Sequence, residues 1–283
     1  MPKIGVIGGS GLYEIEALTD KQEKFISTPF GEPSAAVVVG RLDNREVAFV
    51  PRHGRGHVLT PTEVNYRANV CALKQLGVRY IISVSAVGSL KEEIAPTHLV
   101  VPDQFIDRTR HRRDTFFSDG IVAHVSLADP FSNELRAIFV EQAKKLGVTV
   151  HDGGTYICME GPQYSTRAES RLYRSWGADI IGMTNLTEAR LAREAEIAYA
   201  TLAFSTDYDC WHEEDVTSDM VMENFAKNVE TAKDLIQAIV PAIDLEAEYP
   251  AHNALAQAML TRPEHVPQAV KERLKPIAGK YLK

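Results

Sequence analysis

Cysteine is scarce in this chain: among 283 residues only Cys71, Cys158 and Cys210 occur. The three are far apart and no two form a C-x-x-C pair, so the sequence predicts neither a disulfide framework nor a cysteine zinc site. Clusters of histidine and carboxylate at metal-ligand spacing are also missing from the sequence. We therefore predict that no metal is used, and we expect a cytoplasmic protein because its cysteines suit a reducing compartment.

The sequence also lacks an excess of positive charge, and it lacks long apolar runs. The formal net charge is −7, whereas proteins that bind nucleic acid usually carry a basic excess on one face. No apolar run approaches the ~20 residues that a membrane-spanning helix needs, and the chain does not open on a basic segment followed by an apolar core. We expect a soluble protein with neither a nucleic-acid nor a membrane partner.

The densest run of positive charge is "DRTRHRRD", residues 107–114. Charge runs usually face water, so we interpret this segment as a solvated loop, with an anion site as the alternative.

Short apolar runs rich in β-branched residues alternate with segments of helical periodicity. The runs are bounded by turn residues, which is typical of strands buried on both faces of a sheet. They are "KIGVIGG", "AAVVVGRL", "REVAFVPRHG", "YIISVSAVGSL", "HLVVPDQFI", "GTYICMEGP", "ADIIGMTN" and "IAYATLAFSTD". The helical segments between them are "TEVNYRANVCALKQLG", "SNELRAIFVEQAKKLG", "TRAESRLYRSWG" and "TEARLAREAE".

This alternation predicts an α/β fold, a single domain with a central mixed, largely parallel β-sheet flanked by helices. We place the domain at residues 1–245, with two domains as the second choice. Residues 246–283 are helical in pattern and interrupted by proline. They predict a C-terminal tail that packs on the domain or on a neighbouring subunit.

The glycine-rich stretch "IGVIGGSGLY", residues 4–13, has the composition of a strand that turns into a helix, a common place to bind an anion. Its spacing matches neither the G-x-G-x-x-G dinucleotide fingerprint nor a phosphate-binding loop ending in Gly-Lys-Ser/Thr. This argues against a nicotinamide-dependent oxidoreductase. What is left is a glycine turn carrying Ser10, which could hold one free phosphate.

Hydroxyl and basic side chains follow several predicted strands. A single serine or threonine at a strand end is more often a turn residue than a ligand. In an α/β sheet, however, ligand loops gather at the carboxyl ends of the strands. The residues at these ends, which together describe a pocket for inorganic phosphate, are Ser10, Arg52, His53, Ser85 and Thr184.

The stretch "AFSTDYDCW" ends a predicted buried strand in Asp207 and Asp209. Alternation along an extended chain would place both carboxylates on one face. Burial raises the pKa of a carboxyl group and lets it act as an acid. The alternative is a structural role, in which one aspartate caps the next helix or pairs with an arginine.

With these residues identified, the chain resembles the purine nucleoside phosphorylase family, most closely the branch that acts on 5'-methylthioadenosine. The similarity covers residues 3–240. The motifs that carry it are "KIGVIGGSGL", "TPFGEPS", "RHGRGH", "EVNYRAN", "VGSLKEEI", "DQFIDRT", "EGPQYSTRAES", "WGADIIGMT" and "TDYDCW".

The resemblance implies that phosphate attacks C1' of methylthioadenosine and gives adenine and 5-methylthioribose 1-phosphate. It implies no metal or organic cofactor, since phosphate is a co-substrate. It also implies a homotrimer, with a dimer of trimers as a further possibility, and active sites near subunit boundaries. The alternatives are a related enzyme that prefers adenosine or accepts inosine, and a catalytically silent nucleoside-binding regulator.

The roles that the resemblance implies fall on matching positions of this sequence. The backbone of Ala86 would join the phosphate ligands, Met183 would contact the ribose, and Tyr164 would pack near the sugar. Asp207 would protonate N7 of adenine, and Asp209 would bind or orient the base.

Four further positions bear on specificity. Ser165 stands where relatives acting on 6-oxopurines carry glutamate, which favours adenine. Gly182 stands where asparagine is frequent in the branch, and Ser218 falls where an apolar residue usually helps to bury the methylthio group. His124 would enter the 5' pocket of a neighbouring subunit.

Overall fold

The computed structural model describes residues 1–212 and 218–283, without the side chains of Ser10, Tyr13 and residues 218–221. Within these ranges the strands are β1 (Ile4–Gly8), β2 (Thr19–Lys24), β3 (Val37–Leu42), β4 (Arg45–Pro51), β5 (Tyr80–Ser89), β6 (Leu99–Val101), β7 (Gln104–Arg108), β8 (Val150–Asp152), β9 (Thr155–Met159), β10 (Ile180–Gly182) and β11 (Ala198–Asp207). The helices are α1 (Tyr66–Gln75), α2 (Asn133–Lys145), α3 (Arg167–Ser175), α4 (Asn185–Glu194), α5 (Ser218–Ala242) and α6 (Gln268–Ala278).

The strands form one mixed sheet in the order β2-β3-β4-β1-β5-β10-β9-β7, and β11, β6 and β8 extend it from β5. Neighbours pair in parallel at β1–β4, β1–β5, β5–β11, β6–β8, β7–β9 and β9–β10. The pairs β2–β3, β3–β4, β5–β10 and β6–β11 are antiparallel. The predicted α/β fold with a mixed, largely parallel sheet is confirmed.

The sheet is buried on both faces, which explains the nearly continuous apolar runs. In β1, Ile7 packs into a core with residues of α1, α4 and α6. Its neighbour Val6 points to the opposite face and packs with residues of α2 and α5. Successive side chains of a strand alternate between faces, so each must be apolar when helices cover both.

The four predicted helices are present, and polar caps fix where three of them begin. Asn65 caps α1 by accepting from the backbone N–H of Ala68, so this helix begins later than its leading threonine suggested. Ser132 caps α2. Thr166 opens α3 in a capping box with Glu169, which satisfies two backbone donors at the helix start.

The predicted strand "HLVVPDQFI" is two strands, because Pro102 separates β6 from β7. Proline has no N–H to donate to a sheet ladder. The two pieces diverge, β6 pairing with β8 and β11 while β7 pairs with β9.

Residues from 246 onwards lie against the domain. Leu255 is fully buried in the same core as α1, and Tyr281 donates to a carboxylate oxygen of Glu196 at 2.7 Å. The division of the chain at residue 245 stays a prediction. Within the described ranges no helix combines the length and apolarity needed to cross a bilayer.

Candidate active site

The strands β4, β1 and β10 end beside the middle of β5. Ile7 of β1 is in register with Val50 on one side and Ser83 on the other, so β1 and β4 finish at the same level while β5 continues to Ser89. Arg52 continues this alignment by donating its backbone N–H to the carbonyl of Gly8 at 2.9 Å. The loops that carry the predicted phosphate ligands therefore begin side by side.

Arg52 is buried, and its guanidinium is held from three sides. It forms a two-point ion pair with Glu188, in which Nη2 lies 3.0 Å from Oε2. Nη1 donates to the carbonyl of Val84 at 2.9 Å, and Nη2 donates to Ser83 Oγ at 2.8 Å. This network fixes the guanidinium between the end of β1 and the middle of β5.

Glu188 was not identified from the sequence, although it is the centre of this network. Besides Arg52, it accepts hydrogen bonds from Ser83 Oγ and the Tyr199 hydroxyl, each at 2.9 Å. Burial opposes the charge of Arg52, but the carboxylate outweighs burial and raises the arginine pKa. The segment "TEARLAREAE" contains several glutamates, and its sequence does not indicate that Glu188 is the one buried against Arg52.

His53 follows Arg52 and is a neutral imidazole at physiological pH. Burial lowers its pKa to about 4, and the neighbouring charge of Arg52 contributes to the shift. Nδ1 lies 2.9 Å from the carbonyl of Leu59. A nitrogen facing a carbonyl must carry the proton, so Nδ1 donates and Nε2 keeps a free lone pair.

Ser85 and Thr184 approach the same point from β5 and from the start of α4. Because β10 runs antiparallel to β5, with Ile181 opposite Gly88, the residues after Gly182 return along β5 toward Ala86 and Ser85. Thr184 precedes the first turn of α4, where free backbone N–H groups and the helix dipole favour an anion.

Two predicted residues lie outside what the structure describes at the level of side chains. Ser10 begins a 3-10 helix, Ser10–Tyr13, directly after β1 and Gly9. Its backbone is therefore at the same sheet edge as Arg52. Ser218 is the first residue of α5.

The loop that carries Met183 is held by an internal ion pair. Arg112 donates to the carbonyl of Met183 at 3.0 Å and pairs with Glu160 at 2.8 Å. Gly161 has a φ of +66°, and a Cβ built there would lie 2.5 Å from the Met183 sulfur. Only glycine fits this close approach.

Arg112 corrects the interpretation of residues 107–114 as a solvated loop, since its side chain is 2% exposed. Burial disfavours a charged Glu160, yet hydrogen bonds from Thr62, Arg112 and the backbone outweigh it and lower the glutamate pKa to about 2. The basic segment is partly an internal support, because Asp107 at its start also pairs with Arg190 of α4.

Asp207 and Asp209 lie next to each other, as predicted. The reason is not the alternation of side chains along an extended strand. β11 ends at Asp207, and Asp209 begins a 3-10 helix with a φ of +52°. The extended-chain argument therefore does not apply, because the chain turns between the two residues. Asp207 Oδ1 accepts the backbone N–H of Asp209 at 2.8 Å, and Oδ2 accepts from Thr206 Oγ1 at 2.7 Å.

The two carboxyl groups differ in their surroundings. Burial raises the pKa of Asp207, although hydrogen bonds from Thr206 and the Asp209 backbone oppose the shift. Asp209 accepts hydrogen bonds from Ser165 Oγ, at 2.9 Å, and from Ser170 Oγ. Ser170 was not identified from the sequence. The raised pKa makes Asp207 the better candidate for an acid, while the two hydroxyl donors hold the Asp209 carboxylate in one orientation.

Tyr164 and His124 are not gathered with the other predicted residues in the single chain. Tyr164 is 69% exposed. His124 donates its backbone N–H to the carbonyl of Ala258 at 2.8 Å and lines a separate cavity with Arg190 and Glu194. In the described part of the chain, no three side chains of His, Cys, Asp or Glu converge as metal ligands would.

Comparison with known proteins agrees with this geometry. Residues 3–241 match the phosphorylase superfamily. Curated relatives named S-methyl-5'-thioadenosine phosphorylase include those of Geobacter sulfurreducens, 56% identical over 99% of both chains, and Koribacter versatilis, 55% identical over 99% of this chain and 97% of the relative.

Solved structures give the same result. A methylthioadenosine phosphorylase from an antarctic soil metagenomic library has a TM-score of 0.95 at 52% identity, covering 98% of each chain. The methylthioadenosine phosphorylase from Schistosoma mansoni in complex with adenine has a TM-score of 0.85 at 36% identity, covering 92% of this chain and 99% of that one. The chain therefore belongs to the phosphorylase superfamily.

Proposed function

We propose that this protein is a pentosyltransferase that catalyses the phosphorolysis of S-methyl-5'-thioadenosine to adenine and S-methyl-5-thio-ribose 1-phosphate. The observation that carries the proposal is that β1, β4 and β10 end beside β5, close to a buried carboxyl group whose pKa is raised. The names and identities of the relatives support the same reaction.

Inorganic phosphate binds at the strand ends as the nucleophile. The ligands are the side chains of Ser10, Arg52, His53, Ser85 and Thr184 and the backbone N–H of Ala86. Arg52 is largely neutralised by Glu188, and His53 is neutral. Hydrogen bonds and the α4 dipole therefore contribute much of the attraction, and the site remains able to release its product.

The glycosidic bond breaks through a transition state with positive charge on the ribose. A phosphate oxygen forms the bond to C1', while the electrons of the C1'–N9 bond go to adenine. Asp207 gives its proton to N7, so that the base leaves neutral. One well-placed acid typically contributes ~10²–10⁴ in rate.

Asp207 and Asp209 also select the base. A carboxylate facing the 6-position accepts a hydrogen bond from an amino group but repels a carbonyl oxygen. Ser165 fixes the orientation of Asp209, and it leaves no acid where 6-oxopurine enzymes carry one. Met183 contacts the ribose and Tyr164 covers the sugar, with Ser218 beside the 5' substituent.

A second candidate, a related phosphorylase that prefers adenosine or accepts inosine, is favoured by one observation. Gly182 stands where asparagine is frequent in methylthioadenosine enzymes, and glycine at this position is similar to the 6-oxopurine branch. Measuring kcat/KM for methylthioadenosine, adenosine and inosine separates the two. Our proposal requires methylthioadenosine to be highest, and a higher value for either of the others would replace it with this alternative.

We further propose a cytoplasmic homotrimer, or a dimer of trimers, with sites completed across subunit boundaries. Supporting observations are the exposed Tyr164 and the exposed apolar side chains Leu172 and Trp176 on and after α3. In this arrangement Tyr164 is covered, and His124 enters a neighbouring 5' pocket. The three cysteines, all free, suit a reducing compartment.

A further inference from the structure

Tyr156, on β9, is a fully buried tyrosine directly under the proposed phosphate site. Its ring packs edge-on against Phe105, with centroids 5.5 Å apart, and lies in a core cluster with Val87 and Ile180. Its hydroxyl oxygen is 3.4 Å from Ser85 Oγ. Buried hydroxyl groups normally have hydrogen-bond partners, so the contacts of this one indicate its role at the site.

The other side of the same hydroxyl touches β10. A Cβ built on Gly182 would lie 1.8 Å from the Tyr156 oxygen and 2.5 Å from its Cζ. No side chain fits at position 182 while the tyrosine is in place. The structure thus explains why glycine replaces the asparagine expected there: the ring of Tyr156 occupies that space.

Thr184 lies two residues after Gly182, so the position that the Tyr156 ring imposes on β10 also affects where α4 begins. Burial raises the tyrosine pKa, so the phenol keeps its proton. The phenol O–H is then available to donate to Ser85 Oγ. A serine that accepts from the phenol keeps its own O–H as a donor; that O–H faces the carbonyl of Ala86 at 3.3 Å and can turn to a phosphate oxygen when phosphate binds.

We infer that Tyr156 is a positioning residue for phosphate, which sets the spacing between Ser85 and Gly182 and orients the Ser85 hydroxyl. The inference rests on the proposed function. The 3.4 Å separation is longer than a strong O–H···O hydrogen bond. The role of the hydroxyl is therefore orientation, with little contribution to overall stability.

The direct test is Tyr156→Phe, which removes the hydroxyl and keeps the ring. The loss of one orienting hydrogen bond predicts a rise of about 3- to 10-fold in KM for phosphate. KM for methylthioadenosine and kcat at saturating phosphate should change less than about twofold, since neither Asp207 nor Asp209 contacts Tyr156.

Tyr80→Phe is the matched control. Tyr80 is also fully buried, lies on β5 and donates its hydroxyl to the carbonyl of Ala247 at 2.6 Å, at the opposite end of the strand from Ser85. Its loss should lower the melting temperature and leave KM for phosphate unchanged. A melting curve of each variant separates stability from positioning.

Gly182→Ala tests the steric half of the inference. The new methyl group must displace the ring or the Thr184 backbone, so KM for phosphate should rise at least as much as in Tyr156→Phe. Adding Tyr156→Leu to Gly182→Ala should recover part of the loss, because a shorter side chain vacates the space. Tyr156→Phe would not relieve it, since Cζ remains.

Unchanged KM for phosphate in Tyr156→Phe would overturn the inference, as would equal rises for both substrates. Strictly additive effects of Tyr156→Leu and Gly182→Ala would overturn its steric half. Absence of phosphate-dependent adenine release in the wild type would instead refute the proposed function.

Discussion

At the scale of single residues, Asp207 and Asp209 show how different surroundings give two identical carboxyl groups different properties. Asp207 is buried at the end of a strand, and its pKa is raised. Asp209 lies one turn later, held by the hydroxyls of Ser165 and Ser170. A group that holds a proton suits acid catalysis, and a group fixed by donors suits recognition.

Replacing Asp207 with asparagine removes the transferable proton and keeps the shape. We expect Asp207→Asn to lower kcat/KM for methylthioadenosine by ~10²-fold or more and to shift relative preference toward inosine. Steady-state kinetics on both nucleosides measure this, with a melting curve to show that the variant is folded. A folded variant with wild-type efficiency and base preference would leave Asp207 a structural group.

The same residue predicts a pH dependence. The active form of Asp207 is protonated, so kcat/KM should fall as pH rises through its pKa, which lies above the usual aspartate range. His53, whose pKa is lowered to about 4, is neutral above that pH and contributes no step there. The alkaline decrease should be missing in Asp207→Asn, and its persistence there would assign it to another group.

Arg52 has two roles, and a double variant separates them. Arg52→Ala should raise KM for phosphate severalfold and also leave Glu188 as a buried unpaired charge, which typically costs about 3–5 kcal/mol. Adding Glu188→Gln should recover much of the stability but not the affinity for phosphate. Unfolding curves and phosphate titrations of both variants check this, and a wild-type KM in Arg52→Ala would remove Arg52 from the site.

At the scale of elements, a buried carboxyl group joins the last turn of α4 to the segment between β7 and α2. Glu194 accepts from Thr115 Oγ1 at 2.7 Å and from the backbone N–H of Phe116 at 2.6 Å. Burial raises its pKa to about 7, against the effect of these two donors.

Glu194 should make stability depend on pH. Between the unfolded pKa near 4.5 and about 7, the folded state holds a proton that the unfolded state has lost. The free energy of unfolding should therefore fall by about 2–4 kcal/mol as pH rises through this interval and level off above it. Denaturant unfolding from pH 4.5 to 8 measures the fall, which Glu194→Gln should abolish. An equal slope in the variant would contradict the assignment.

The sequence predicted the elements whose burial or capping is local and missed those that depend on partners. Apolar runs located the central strands, and the capping residues located the helices. β2 is almost fully exposed and β8 has three residues, so neither forms an apolar run. The long helix α5 was also not predicted.

The candidate site follows the same rule. Residues at strand ends could be predicted because an α/β sheet collects them at one edge. Glu188, Tyr156 and Arg112 could not, because they support the site through contacts distant in sequence. The family prediction is confirmed by the match over residues 3–241, while the individual roles in the site stay predictions.

At the scale of the whole molecule, the proposed sharing of sites between subunits predicts that activity depends on assembly. Sedimentation should show at least a trimer, and specific activity should fall on dilution below the assembly constant. His124→Ala should raise KM for methylthioadenosine more than KM for phosphate, since His124 is proposed to reach only the 5' pocket. A fully active monomer would rule out sites completed by a neighbour.

The central claim is that the strand ends bind phosphate as the nucleophile, and its most direct test is the phosphate dependence of adenine release from methylthioadenosine. Purified protein should release adenine only when phosphate is present, with one 5-methylthioribose 1-phosphate formed per adenine and no loss of rate on adding a chelator. Adenine release at the same rate without phosphate, giving free methylthioribose, would show hydrolysis and contradict the account.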